Sequence, residues 1–401
     1  MDELDVSQLL SVQRATEIID AATVEPRMLR VPLAEAQGLR LAEDVRADRD
    51  YPPVDKSLMD GYAVRCADVA TAPVELELAG EIAAGQSAAA LRPGQAMAIM
   101  TGAPLPAGAD GVVPVEEASR AEGRVRFTSA ARPGRYISRR GSDCATGEVV
   151  LRKGTRLESA ALAAAASVGA ATLTVFDRPR VAVLSTGDEV VPFDQSPTGA
   201  QVRNSNSIML IALLRRLGCD VTDIGHARDE PKVIRERIAA GLEHDVLFVT
   251  GGMSMGRYDF VPRILHEMQA EMRITKLRIK PGKPFVFAAL PGGPYVFGLP
   301  GNPVSGFVCT VRLASRLLAR MSGGEAEPRS IEAKLSAALP ANGPREFYQP
   351  AIFRGGEVEP LAWKGSADMF TLARANVLLV RAENEPALEM GSVVRVLEIP
   401  S

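Results

Sequence analysis

DVLFVTGGMSMGRYDF (245–260), KLRIKPGKPFVFAAL (276–290) and YVFGLPGNPVSGF (295–307) decide how this chain folds. Each holds a short apolar run that stops at a Gly or Pro turn, the pattern of buried strands whose ends deliver backbone and side chains to one rim. Gly251-Gly252 permits positive φ and close approach of a ligand. Lys280 and Lys283 flank a Pro-Gly turn, so both amines can reach one point. The stretch is built for something anionic.

Upstream, RVAVLSTGDE (180–189), CDVTDIG (219–225) and PKVIRERIAAGL (231–242) alternate as strand, strand and helix. A further helix follows Ser205 or Ser207, either of which can cap it; Ile208, Ile211, Leu214 and Leu217 turn inward and Gly218 ends it. This β-α-β-α-β order predicts a doubly wound, mostly parallel sheet that binds ligands beyond the carboxyl ends of its strands. The turns at 186–189, 226–229, 251–259 and 299–302 fall there, the last before a helix over 304–321.

The flanks differ in kind. Residues 7–26 predict a helix with Ser11 as N-cap, and 160–176 a buried alanine-rich helix followed by a strand. Short strand candidates at close spacing fill 74–137, and the last 75 residues or so are β-type. The expected class is multidomain α/β and β. An N-terminal α/β domain (1–54 and 138–178) carries an inserted β domain (55–137); a central α/β domain (179–327) and a C-terminal β domain (328–401) follow.

Composition narrows the function. The chain has 401 residues, enough for about two to four domains, with 46% hydrophobic and 24% charged residues. Net charge is −3 and aromatics are 5%, which argues against a nucleic-acid partner. Cys66, Cys144, Cys219 and Cys309 are scattered, and His226, His244 and His266 have no metal-ligand spacing. No basic signal segment or apolar run of spanning length occurs, so a cytoplasmic protein with no membrane association is expected.

Taken singly, the polar turn residues are ordinary. Asp229 before Pro231, and Asp259 before an apolar helical run, read as helix caps worth about 1 kcal/mol each. Glu189, Asp60 and Asp143 suit strand ends and turns, and Lys280 and Lys283 suit a solvated loop. Together they mean more. Carboxylates ~4 Å apart repel by about 4 kcal/mol at an effective dielectric of ~20, and a bound cation relieves this. Oxygen donors without His or Cys suit Mg2+. A hard cation beside paired lysines and glycine-rich N–H groups suits phosphate or another oxyanion.

The motifs SLMDGYAV (57–64), IMTGAPLPAGADGVVPVE (99–116), GSD (141–143), STGDE (185–189), VTGGMSMGRYDF (249–260), IKPGKPFVF (279–287), GLPGNPVS (298–305), PREF (344–347) and KGSADM (364–369) stand in an order that resembles the MoeA family. These are the molybdopterin molybdenumtransferases, whose relatives include the E domain of gephyrin. The resemblance spans about residues 7–400. It implies Mg2+-dependent cleavage of adenylylated molybdopterin, transfer of molybdate onto its dithiolene and release of AMP. It also implies an elongated homodimer, with possible contacts to the molybdopterin adenylyltransferase and to apo-molybdoenzymes. A tungstate-inserting paralogue and a non-catalytic pterin-binding scaffold are the alternatives.

By matching position, Glu189, Asp229 and Asp259 serve the metal and pyrophosphate, while Asp60, Thr101 and Asp143 cross from the partner subunit. Gly251, Gly252 and Ser254 belong to the substrate turn, and Lys276 adds charge near pterin or phosphates. Lys280, Lys283, Arg345 and Ser366 hold molybdate. Pro300 and Pro303 shape the GLPGNP loop, and Ser305 bonds the ligand. Two departures stand out: Met253 and Met255 replace valines and are expected to face the core. Arg257, where an acid is common, alters the charge near Asp259.

Overall fold

The computed structural model describes residues 9–86, 89–253, 260–325 and 327–400. The chain divides into two compact units, Met1–Arg30 with Gly38–Ala42 and Thr174–Ser401, and Val31–Gln37 with Glu43–Leu173. The first unit holds the central sheet. Its strands lie in the order Asp220–Ala227, Arg180–Thr186, Val246–Thr250, Tyr295–Leu299, Val286–Ala289, Glu271–Ile274. The first four are mutually parallel, the fifth is antiparallel to the fourth, and the sixth is antiparallel to the fifth.

Apolar runs make these strands because both faces are covered. Val246 to Val249 are all fully buried, as are Phe287 and Phe297, whose rings stack 5.0 Å apart. Phe248 packs 5.2 Å from Phe297. Each such ring contributes about 1.5–3 kcal/mol by leaving water. Helices Ser205–Arg216 and Pro231–Gly241 cross over between strands, the second with Pro231 in its first turn, where no N–H is needed.

One expectation about the rim is corrected here. Val286–Ala289 is antiparallel to its neighbour, with Val286 opposite Gly298, so it is its start that reaches the rim. The preceding Ile279–Lys280 leaves this sheet altogether and pairs with Glu346–Phe347. The dilysine turn therefore runs between two sheets. The second of these contains Ser330–Leu335, Glu346–Arg354, Glu357–Pro360, Val377–Arg381 and Val393–Glu398, the β-type end of the chain.

Several helix expectations shift. Val12–Asp20 is capped by the Ser11 hydroxyl, which accepts from the Arg14 N–H at 3.1 Å, but the helix stops well short of Pro26. The cap of Ser205–Arg216 is Asn204, not either serine, and its buried side is Ser207, Leu210, Leu213 and Leu214, with Ile208 exposed. Ser159–Ser167 buries only Ala165 among its residues, because alanine methyls create little apolar area to drive it inward. The helix expected over 304–321 is interrupted: Pro303–Cys309 passes through a π turn, Thr310–Ala314, into Ser315–Met321.

The second unit contains a mixed six-stranded sheet from Gly61–Val64 to Arg124–Phe127. Two small cores, one around Tyr62 and Phe127 and one around Met97 and Ile99, cover its faces. Ile137–Ser138 pairs with Lys56–Ser57 beside it. No helix among the described residues is long and apolar enough to cross a membrane.

Candidate active site at the carboxyl end of the central sheet

Three strands deliver polar turns to the carboxyl end. After Thr186 the chain turns through Gly187, whose carbonyl lies 2.7 Å from His226 Nε2 and whose N–H donates to Ala227 at 3.3 Å. The next turn answers in kind. The Asp229 N–H donates to Asp188 Oδ1 at 3.1 Å, and the Asp188 N–H to Asp229 Oδ2 at 3.4 Å. The Glu189 carboxylate folds back against Gly187, bringing it into the same pair of turns. Asp229 is thus a turn-to-turn tie. It is not the expected cap, since the N-cap of Pro231–Gly241 is Glu230, without a side-chain bond.

The third turn is Gly251-Gly252, with φ of 90° and 63°. A Cβ on Gly251 would collide with the Thr186 carbonyl, and one on Gly252 would stand 3.0 Å from Thr186 Oγ1. Glycine is what lets these strand ends close on each other. Gly251 N–H donates to the Leu299 carbonyl at 3.2 Å, joining the turn to the GLPGNP loop. Met253 is 5% exposed and buried as expected. Ser254, Met255, Arg257 and Asp259 lie outside the described residues; the N-cap of the following helix is Phe260, with no side-chain bond.

Two oxygens here escaped the sequence reading. Thr186 Oγ1 is buried without a hydrogen-bond partner among the described residues, as is Asn206 Oδ1. The Asn206 amide nitrogen is fixed by Thr250 Oγ1 at 3.0 Å and the Gly301 carbonyl at 2.7 Å, so its oxygen is held in place. Such atoms cost stability unless a ligand meets them. Nothing in NSNS (204–207) distinguishes one asparagine from the other before the fold is known.

The basic residues are placed by neighbouring elements. Gly282 (φ 122°) packs so closely on the Pro303–Cys309 helix that a Cβ would strike Cys309 Sγ, which sets the Lys280–Lys283 turn against that helix. Ser305, 3% exposed, lies in its first turns, after buried Pro300 and half-buried Pro303. Ser366 is tied to the same end: its carbonyl accepts from Val304 N–H at 3.0 Å and its hydroxyl from Asn302 Nδ2 at 2.9 Å. Arg345 immediately precedes the strand paired with Lys280, and its carbonyl is held by Asn342 Nδ2 at 2.9 Å. Lys276 is half-buried just before the Ile279–Lys280 strand, its carbonyl accepting from Leu10 N–H at 3.3 Å.

In the second unit Asp60 and Thr101 meet. Asp60 Oδ1 accepts from the Thr101 N–H at 2.6 Å and its hydroxyl at 2.9 Å. Those two bonds hold the Asp60 carboxyl below its usual pKa. Asp143 accepts instead from the Ser142 hydroxyl at 3.1 Å and is linked to this neighbourhood through Ser142 and Ser138. No group of three His, Cys, Asp or Glu residues able to hold a metal assembles among the described residues, which exclude Asp259.

A mostly parallel sheet with crossover helices, whose carboxyl rim bears glycine turns and laced acids, defines an α/β protein of the doubly wound class. Comparison with known proteins narrows this class. Residues 10–169 match the MoeA N-terminal region (domain I and II), 182–320 a probable molybdopterin binding domain, and 332–399 the MoeA C-terminal region (domain IV). The molybdopterin molybdenumtransferase of Synechococcus elongatus is 35% identical over 97% of this chain and 99% of its own. That of Nostoc sp. is 34% identical over 98% and 90%. The structure of the molybdopterin biosynthesis MoeA protein from Pyrococcus horikoshii OT3 superposes with a TM-score of 0.87 at 28% identity, covering 98% of this chain and 100% of that one. The chain belongs to the MoeA family of molybdopterin molybdenumtransferases, and is a transferase of molybdenum cofactor biosynthesis.

Proposed function

We propose that the chain transfers molybdate onto the dithiolene of adenylylated molybdopterin and releases AMP, in a Mg2+-dependent reaction. The observation that carries this reading is the pair of laced acidic turns at the carboxyl end of the central sheet, together with a lysine turn docked on the Ser305 helix. Glu189 and Asp229 offer only oxygen donors, which fit a hard cation, and Mg2+ commonly takes one or two carboxylates plus substrate phosphates. With Asp259 they would hold it. When bound, the ion supplies charge neutralisation at the pyrophosphate.

The protein's own groups do the rest. The glycine backbone at Gly251 and Gly252 leaves room for the anionic end of the ligand, with Ser254 two residues on in sequence and Lys276 four residues before Lys280. Lys280 and Lys283 give point charges, Arg345 a guanidinium fork, and Ser305 and Ser366 hydroxyl donors for a tetrahedral dianion. Pro300 and Pro303 fix the loop that presents them. A second copy of the chain supplies Asp143 together with Asp60 and Thr101, which are already ordered by their mutual bonds. The reading includes a cytoplasmic homodimer, the fourfold domain division of the sequence, and hand-over from an adenylyltransferase to apo-molybdoenzymes.

The test is incubation with adenylylated molybdopterin, molybdate and Mg2+, with AMP followed. Release that stops with EDTA is expected; a folded dimer that releases none is instead a non-catalytic pterin-binding scaffold.

A further inference from the structure

We infer that Phe347 and Trp363 form an aromatic seat that positions the Lys280 ammonium for the oxyanion; this rests on the molybdate reading above. Lys280 and Phe347 stand opposite each other where Ile279–Lys280 pairs with the strand Glu346–Arg354. Lys280 Nζ lies 4.5 Å from the Phe347 ring centroid, inside the ~6 Å range of a cation–π contact. Phe347 in turn stacks on Trp363, with centroids 5.7 Å apart and planes at 25°. Trp363 is anchored because it packs against the main core of the first unit.

Alternation along the strand supports the placement. Glu346 and Tyr348 bond each other, and the Tyr348 hydroxyl accepts from buried Arg312 Nε at 2.8 Å. Phe347, between them, faces the other way. It stands two residues after Arg345, and Trp363 three before Ser366, so the seat is interleaved with two of the proposed oxyanion ligands.

A ring suits this task better than a carboxylate. Lys280 is exposed and makes no ion pair among the described residues, so its long stem needs a partner to fix it. An acid would fix it but cancel its charge. A neutral ring face restricts the ammonium and leaves the full charge to meet a dianion.

Trp363 is the only tryptophan in the chain, so its emission reports this place alone. Sodium molybdate titrated into the full-length protein should change that emission saturably, in step with calorimetric binding. Phe347→Leu should raise the half-saturating molybdate about fivefold, the size of an exposed cation–π contact, with kcat unchanged. Phe347→Tyr should restore the wild-type midpoint, and Lys280→Gln should abolish the response. Calorimetric binding without an emission change, or a folded Phe347→Leu with the wild-type midpoint, overturns the seat alone. A wild-type protein that binds no molybdate by calorimetry overturns the oxyanion reading and the seat with it.

Discussion

At its amino end the central sheet borders a cavity of about 540 Å3 in which Arg27 bridges Asp177 and Asp245, and Arg180 holds Asp245 at 2.9 Å. At its carboxyl end Thr186 Oγ1 and Asn206 Oδ1 are buried without partners among the described residues, and Glu189, Lys280 and Lys283 make no ion pair there. One set of strands thus ends in matched charge on one side and in unmet polarity on the other. His244 Nδ1, buried and unpartnered, is the exception at the amino end. Hollow space alone does not mark a ligand site; groups that folding leaves unsatisfied mark it better.

The comparison breaks first at Glu189. Glu189→Gln should lower AMP release at least ~100-fold, about 2.7 kcal/mol in the barrier. The urea midpoint should hardly move, since an exposed substitution changes stability by about 0.5 kcal/mol or less. A variant that loses stability but keeps its turnover would assign this acid to the scaffold.

Asp245→Asn is the converse experiment. The Asp245 side chain is 21% exposed and serves two arginines, so its loss should cost about 2 kcal/mol by urea unfolding, with turnover intact. Burial alone would raise the Asp245 pKa; the bonds from Arg180 and then Arg27 outweigh it and hold the group below its usual value. A depressed folded pKa means the contribution is present above the unfolded value of ~3.9 and is lost as pH falls through the folded one. Wild-type and Asp245→Asn midpoints should therefore converge as unfolding is followed from pH 7 toward pH 3. A gap that persists into acid would show that Asp245 acts through packing, not charge.

Residues differ in how openly the sequence declares them. Ser11 was legible as a cap, and the runs at 180–186, 246–250 and 295–299 as buried strands, because each signal is local. The helix Ser205–Arg216 hid its phase, since apolar side chains at 208–211, 213 and 214 cover most of its circumference. Only packing on the sheet chooses Leu210 and Leu214 over Ile208. The reversal of Val286–Ala289 and the departure of Ile279–Lys280 to another sheet depend on pairings with distant strands. The site followed the same division. Motif residues stood out, but Asn206, outside every motif, and the ring of Phe347, inside PREF, acquire meaning only through partners at Gly301 and Lys280.

Thr186→Val tests the comparison most finely, because the two ends call for opposite results from removing a polar atom. Were Thr186 Oγ1 part of the scaffold, its loss would leave a partner unbonded and cost about 1–3 kcal/mol. It has no such partner among the described residues, so a methyl of similar size should leave the urea midpoint within about 0.5 kcal/mol of wild type, or raise it. The cost should appear with substrate present, as an increase of about threefold to tenfold in KM for adenylylated molybdopterin, one neutral hydrogen bond of ~0.5–1.5 kcal/mol. An unchanged KM together with a fall in stability would place this oxygen's partner within the fold, and the carboxyl end would then be finished in the same manner as the amino end.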